Sequence, residues 1–439
     1  MTLLVILQVG RKISFKGIVA PQTLNALAFV PSLFLLLFYT KSWNVDLSPL
    51  TITLIIIQPL IFTTISIFFN KLSISKNTIS NNTTYSRLEK IRTPNILVFT
   101  FLEIVSLVLL IRYEISIVGS FNNLATLLFK FRYASSTGDG VDLPGLVSIL
   151  RLLTIYSGFI WMYLLTINIL KKKKKNNNLY ILNLTLSFLS SLALGSRGDA
   201  VMLIAVGVVQ FLYLLYRKIY YSNYELATKK RNRKKLKKYI WLVFFVGILI
   251  ATQFDTLANI MGRDTSDFTG MSYLALYLSA PIKNLDSFLR DGCMGFAPNF
   301  GSSKTLALLI AYIGPKYFGY IPQYVKFEYT YINDIFMGNV YTAYANFYYD
   351  YGIISFLLFS VIMAVLTNYF YSKSLQQFEQ YSKDINISLI IYSLMAFGII
   401  FNFFANEYYN TVFNIGFFRG VIILYFIRWF LLKVRITSK

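Results

Sequence analysis

The chain has no histidine and a single cysteine, Cys293. Without imidazole, the most common proton relay and metal ligand are both missing. One cysteine forms no intrachain disulfide and supplies neither a CxxC pair nor a thiolate metal cage. Charge is also scarce: only 14% of the 439 residues are Asp, Glu, Lys or Arg, where a soluble domain carries about a quarter. The sequence is instead 56% hydrophobic and 17% aromatic, in long apolar blocks separated by short polar punctuation. Apolar stretches of this length read as transmembrane helices. The N-terminal run Met1–Leu7 is short and precedes its charges Arg11, Lys12 and Lys16, the wrong order for a cleavable signal peptide. The expected fold class is an all-α polytopic membrane protein.

Hydropathy places about ten spans (ten to twelve) near 20–40, 50–70, 95–115, 148–170, 179–195, 200–216, 239–256, 353–371, 387–405 and 412–432. The formal charge of +23 does not point to nucleic acid, because the cations fall in loops between spans. With the N-terminus inside, about 29 of the 42 Lys and Arg residues lie on one side, led by the runs Lys171–Lys175 and Lys229–Lys238. Positive loops stay cytoplasmic, so both termini are expected in the cytoplasm. Three regions follow: an N-terminal bundle over 1–256, a large outer segment over 257–352, and a C-terminal bundle over 353–439.

The outer segment is where the sequence invests its polar groups. It is neither low-complexity nor highly charged, and loops this long are functional or disordered. Its aromatic content argues against disorder. Met271–Ile282 and Lys304–Ile313 are amphipathic stretches suited to lying along a membrane surface or re-entering it.

At the end of that segment, Gly338-Asn339-Val340-Tyr341-Thr342-Ala343-Tyr344 is followed by Phe347-Tyr348-Tyr349-Asp350-Tyr351-Gly352. These elements resemble the end of the large outer loop in the Wzy family of oligosaccharide repeat-unit polymerases. Ser196-Arg197-Gly198-Asp199 is similar to a Ser-Arg-Gly turn found at a like place there. The resemblance implies a GT-C-like membrane fold in a bacterial inner membrane with a periplasmic active site. It implies transfer of a growing glycan from undecaprenyl pyrophosphate to the terminal sugar of a fresh lipid-linked repeat unit. The implied partners are those lipid-linked glycans, the lipid bilayer, a chain-length regulator and a flippase. No nucleic acid and no cofactor is expected.

Such a reaction needs cations for the departing pyrophosphate. Arg197 lies in a short outer turn directly before a helix, where free N–H groups and a guanidinium fork both favour phosphate oxygens. The structural alternative is that Asp199 pairs with it. Arg419 falls inside the last span, where ionisable groups are costly; Glu103 in the third span is its expected partner. Arg263 and Arg290 are the candidates in the large segment, each with a local acid beside it (Asp264, Asp291) as the bland reading. By resemblance, Asn339 and Thr342 contact glycan.

The proton acceptor has to be a carboxylate or another non-imidazole group. Asp350, Glu407, Glu328 and Asp334 lie on the outer side, and a carboxylate in hydrogen-bond reach can accept a sugar hydroxyl's proton. Asp350 and Glu407 are the two catalytic candidates, and helix capping is the competing role for Asp350. Asp264-x-x-Asp267 is present but DxD is absent, so metal independence is expected. Ten tyrosines fall between Tyr317 and Tyr351. Their mixed faces suit sugars, but they also suit a membrane interface. Two other functions compete. A lipid-glycan ligase shares the general layout but usually carries an outer-loop histidine. A flippase or other transporter would use mid-span polar residues such as Glu103 and Arg419.

Overall fold

The computed structural model describes residues 2–74, 91–136, 143–194, 198–220, 234, 238–239, 241, 273–291, 296–319, 327–333, 335–376 and 384–434. Seven helical segments among them are long and apolar enough to cross a membrane. They are Pro21–Tyr39, Pro49–Leu72, Thr93–Val118, Gly145–Lys171, Gly198–Ile219, Ala343–Gln376 and Ile415–Lys433. Two further expected spans form shorter helices, Asn177–Ala193 and Ile387–Ile400, and the one at 239–256 lies almost wholly outside the described residues. The chain is therefore a predominantly helical polytopic membrane protein with seven long apolar helices among the described residues. Two compact units divide it.

Unit 1 comprises 1–79, 266–376 and 394–417. It opens with α1 (Thr2–Ile13), which buries Leu3, Ile6 and Gly10 on one face. Arg11 and Lys12 stand in its last turn, where cations complement the helix dipole. Next come α2 (Pro21–Ala28) and α3 (Val30–Leu36), each with a proline in its first two positions, where the missing N–H costs nothing. The long α4 (Pro49–Ile74) contains Pro59, and Thr63 Oγ1 donates to the Pro59 carbonyl at 2.8 Å.

In unit 1, α4 packs along α13 (Ala343–Gln376). Their contact carries buried polar bonds. Tyr344 OH donates to Gln58 Oε1 at 2.5 Å, Gln58 Nε2 to Ser360 Oγ at 3.3 Å, and Ser66 Oγ to Asn368 Oδ1 at 2.7 Å. Such bonds fix one helix register where apolar packing alone would tolerate several.

Between these helices, α10 (Tyr273–Leu278), α11 (Ala280–Asp291) and α12 (Ala307–Ile313) occupy the expected amphipathic stretches. An antiparallel hairpin of β1 (Thr330–Ile332) and β2 (Ile335–Gly338) follows. This hairpin corrects the all-α expectation locally; β-branched and aromatic residues there favour extended backbone. The unit ends with α15 (Glu407–Val412).

Unit 2 comprises 80–265, 377–393 and 418–439. It gathers α5 (Thr93–Val118), α6 (Leu124–Ser136), α7 (Gly145–Lys171), α8 (Asn177–Ala193) and α9 (Gly198–Tyr220). The C-terminal helix α16 (Ile415–Lys433) lies mostly in this unit, and α14 (Ile387–Ile400) is divided between the two. Packing is tightest where a side chain is missing: a Cβ on Gly420 would sit 1.9 Å from the Tyr156 ring. Small residues allow this kind of approach between spans. Asn95 Nδ2 donates to the carbonyls of Phe430 and Val434 at 3.1 and 2.9 Å, closing the end of α16.

Candidate functional site

In unit 1, the stretch that carries the family resemblance folds into α13 and its approach. Thr342 is fully buried, and its hydroxyl has no hydrogen-bond partner among the described residues. Asn339 is half-buried at the end of the hairpin. The helix then starts at Ala343, whose N–H donates to the Asn402 carbonyl at 2.9 Å.

Eight residues later α13 breaks. Tyr351 (φ −153°, ψ 43°) and Gly352 (φ 65°, ψ −142°) leave helical geometry. The second of these conformations is open to glycine and strained for any residue with a Cβ. A Cβ there would also meet the Phe296 ring at 3.3 Å. Ser355 repairs the interrupted ladder: its Oγ accepts the Tyr351 N–H at 2.8 Å and donates to the Phe347 carbonyl at 2.6 Å. A break mended by side-chain bonds is a rigid bend.

Asp350 sits immediately before the bend and is 1% exposed. Its Oδ2 accepts from Ser303 Oγ at 2.5 Å and from the Thr305 N–H at 3.3 Å, and its Oδ1 accepts from the Lys304 N–H at 2.8 Å. Asp350 therefore does not start a helix, as the capping alternative held. It closes a distant loop, and its acceptor capacity is largely committed to that task. On the loop's other side, Asn406 Nδ2 donates to the Thr305 carbonyl at 2.9 Å and the Lys304 carbonyl at 3.4 Å. Glu407 follows directly, half-buried at the start of α15.

Held at both its N–H and its C=O, Lys304 sends its side chain among aromatic rings. Its Nζ lies 3.0 Å from the centroid of Phe327 and 4.8 Å from that of Tyr349. The nitrogen is buried and has no hydrogen-bond partner among the described residues. Burial pushes the Lys304 ammonium down to about 7, and the Asp350 carboxylate only partly opposes this. An amine in this state is the feature that reading the sequence missed. The signal was there in part: no acid lies within four residues of Lys304.

Arg290 serves a second closure in unit 1. Its Nε donates to Asp286 Oδ2 at 3.0 Å, and its outer nitrogen bonds the Asp46 carbonyl and approaches Asp46 Oδ2 at 3.3 Å. Its partners are thus Asp286 and Asp46, where the sequence suggested Asp291. Asp286, fully buried, also accepts from the Ser48 N–H at 2.7 Å and Thr51 Oγ1 at 2.8 Å. Burial raises the Asp286 carboxyl, but those donors and Arg290 outweigh it and leave it below the usual carboxylate range. The guanidinium of Arg290 ties α11 to the entrance of α4, so its charge is already answered by two carboxylates.

Unit 2 shows a different arrangement. Arg151, on α7, pairs with Asp199 in the first turn of α9. Glu114, on α5, is fully buried and neither carboxylate oxygen has a hydrogen-bond partner among the described residues. Glu103 is also fully buried; its Oε1 accepts from Ser157 Oγ at 2.5 Å and Trp161 Nε1 at 2.8 Å, while Oε2 has no partner among them. This corrects the expected pairing of Glu103 with Arg419. The carboxylate faces α7, whereas Arg419 is exposed on α16. Helix rotation explains the difference: a residue can share a span's depth with another and still face the opposite way.

Of the remaining candidates, Arg197, Arg263 and Asp334 lie outside the described residues. Glu328 is exposed, and its carbonyl accepts from Tyr341 OH at 3.1 Å. The structure thus brings Asp350, Ser303, Lys304 and Asn406 into one centre of unit 1, with Arg290 in a separate closure and Arg419 in unit 2. No cluster of three or more metal-binding side chains occurs among the described residues. Comparison of the chain with protein-family models, with curated proteins and with solved structures gives no match.

Proposed function

We propose that this membrane protein is a glycosyltransferase that polymerises lipid-linked oligosaccharide repeat units at the outer face of a bacterial inner membrane. The growing glycan moves from undecaprenyl pyrophosphate to the terminal sugar of a new repeat unit, and the lipid pyrophosphate leaves. One observation carries the reading. The segment that resembles the repeat-unit polymerases, Asn339 to Gly352, ends at a rigid bend where Asp350 pins a loop holding a buried, unpartnered lysine. A buried ammonium without a hydrogen-bond partner is costly, and a bend with one beside it suits a site that receives a polar ligand.

In this reading the aromatic surface of unit 1 around Phe327, Tyr341 and Tyr349 takes sugar faces, and Arg197 and Arg263, outside the described residues, are the candidates of the sequence for pyrophosphate oxygens. A preorganised guanidinium aimed at developing charge contributes about 10²–10³ in rate. The excess of cations in the loops assigned to the cytoplasm supports a periplasmic position for this centre.

Deletion of the gene tests the proposal. The expected product is glycan capped at a single repeat unit, restored to long polymer by the wild-type chain and not by Arg197→Ala. One observation favours a second reading, transport: Glu103 and Glu114 are buried within a span with unpartnered oxygens, and intramembrane carboxylates mark ion or substrate paths. A deletion strain that accumulates no extracytoplasmic repeat units at all would select transport. Long polymer left on carrier lipid would select ligation.

A further inference from the structure

Resting on the polymerase reading, we infer that Lys304 is the base of the transfer step, its amine taking the proton of the acceptor sugar's hydroxyl. The chain contains no imidazole to do this work. The carboxylate nearest the bend is not free to do it: Asp350 already accepts three hydrogen bonds. Asp286 is likewise occupied by Ser48, Thr51 and Arg290. Lys304 Nζ is the titratable group of this centre that is buried with no hydrogen-bond partner among the described residues; Thr305 Oγ1 and Asn406 Oδ1, which also lack partners, are neutral and cannot hold the proton.

Its position is also fixed from both ends. Asp350 holds the Lys304 N–H and Asn406 approaches its carbonyl, so the stem's root does not wander. A base needs this preorganisation as much as it needs basicity. Burial brings the amine's pKa to about 7, so at pH 8 most molecules present it unprotonated. The face of Phe327 lies 3.0 Å away, and an aromatic face attracts a cation. The ring therefore steadies the ammonium that forms when the proton arrives.

The acceptor hydroxyl oxygen bonds to the anomeric carbon of the donor glycan. The bond from that carbon to the pyrophosphate oxygen breaks, and its electron pair leaves with the lipid pyrophosphate. The hydroxyl proton passes to Lys304 Nζ and is later released to solvent, which resets the amine.

The test uses full-length protein in liposomes, with lipid-linked repeat units extracted from the deletion strain as substrate. Polymer formation is followed between pH 5.5 and 9 for the wild type, Lys304→Arg and Lys304→Met. General-base catalysis contributes about 10²–10⁴ in rate, so both variants should lose that much at pH 8. The wild-type rate should climb with pH and level off above an inflection near 7. Lys304→Arg is the discriminating variant, because it keeps the positive charge and cannot deprotonate. Full activity in Lys304→Arg would make the residue a counter-ion and overturn the inference; full activity in Lys304→Met would deny it any role. The wild-type pH profile needs no variant to fold, and a rate independent of pH below 8 would also overturn it. A deletion strain that still makes long polymer would remove the polymerase reading, and this inference with it. A strain that loses polymer but recovers it with Lys304→Met would remove the inference alone.

Discussion

The two units treat their buried charges in opposite ways. In unit 1 the buried acids are saturated: Asp350 accepts three hydrogen bonds, and Asp286 accepts three with Arg290 among the donors. The ionisable side chain left without a hydrogen-bond partner there, among the described residues, is a cationic one, Lys304. In unit 2 it is buried acids that are left unsatisfied, Glu114 with no hydrogen bond at either oxygen and Glu103 with none at one, among the described residues. Carboxylates in unit 1 therefore act as fasteners that fold irregular chain onto helices, and the spare chemistry rests on an amine. In unit 2, Glu103 and Glu114 sit on the regular helix α5, while Asp384, outside the helices, is paired with Arg428 of α16. The desolvation of Glu114 is met by no hydrogen bond among the described residues and that of Glu103 by bonds to one oxygen only, which is why they, and not the acids of unit 1, keep a transport reading open.

The sharpest way to break that comparison is at Asp350. Asp350→Ala leaves the Ser303 hydroxyl and the N–H groups of Lys304 and Thr305 without their acceptor in a buried setting. Removing one partner of a buried charged network costs about 3–5 kcal/mol. The expected result is a large fall in melting temperature and yield in detergent, followed by size-exclusion chromatography on heated samples. Asp350→Asn, which keeps one acceptor oxygen, should lose less. Wild-type melting in Asp350→Ala would mean the carboxylate fastens nothing.

Hydropathy located most of the membrane helices because a span must be long and apolar, and both properties are local. It failed where the boundary was not a change in polarity. The apolar block 387–405 contains a helix that stops at Ile400, and the turn after it is still rich in phenylalanine. The amphipathic α1 was too short to register as a span and too apolar to stand out. The site was legible in outline at Asp350 and Gly352, which stand at a true bend. The partners of Asp350 were not, because Ser303 to Thr305 lie some 45 residues away in the chain and no periodicity links them. The same applies to Arg290, whose nearest acid in sequence, Asp291, is not among the partners it was found to hold, while Asp46 lies 244 residues off.

A smaller effect is expected at the bend itself. Gly352→Ala places a Cβ at φ 65° and ψ −142°, 3.3 Å from the Phe296 ring. Strained backbone of this kind costs about 1–3 kcal/mol. Trimming the ring with Phe296→Ala should recover the steric part and none of the backbone part. The double variant should therefore melt between Gly352→Ala and Phe296→Ala. Full recovery in the double variant would show that the glycine is needed for space and not for its conformation.

The smallest effect, and the most informative about unit 2, belongs to Glu114→Gln. The substitution keeps the size of the side chain and removes its capacity for charge. No hydrogen bond among the described residues is lost, since neither oxygen makes one. Arg151 keeps Asp199 as its partner, so no charge is orphaned by the change. The melting temperature should hold or rise slightly, the opposite of what Asp350→Asn does in unit 1. A marked fall would mean that the charge of Arg151, which acts on Glu114 without a hydrogen bond to it, holds the carboxylate in the folded protein. If stability holds and polymer length is unchanged, Glu114 takes no part in the proposed transfer. If stability holds while extracytoplasmic repeat units disappear, the unpartnered carboxylate is a working element of transport, because only an ion or substrate path would depend on its charge without depending on it for folding.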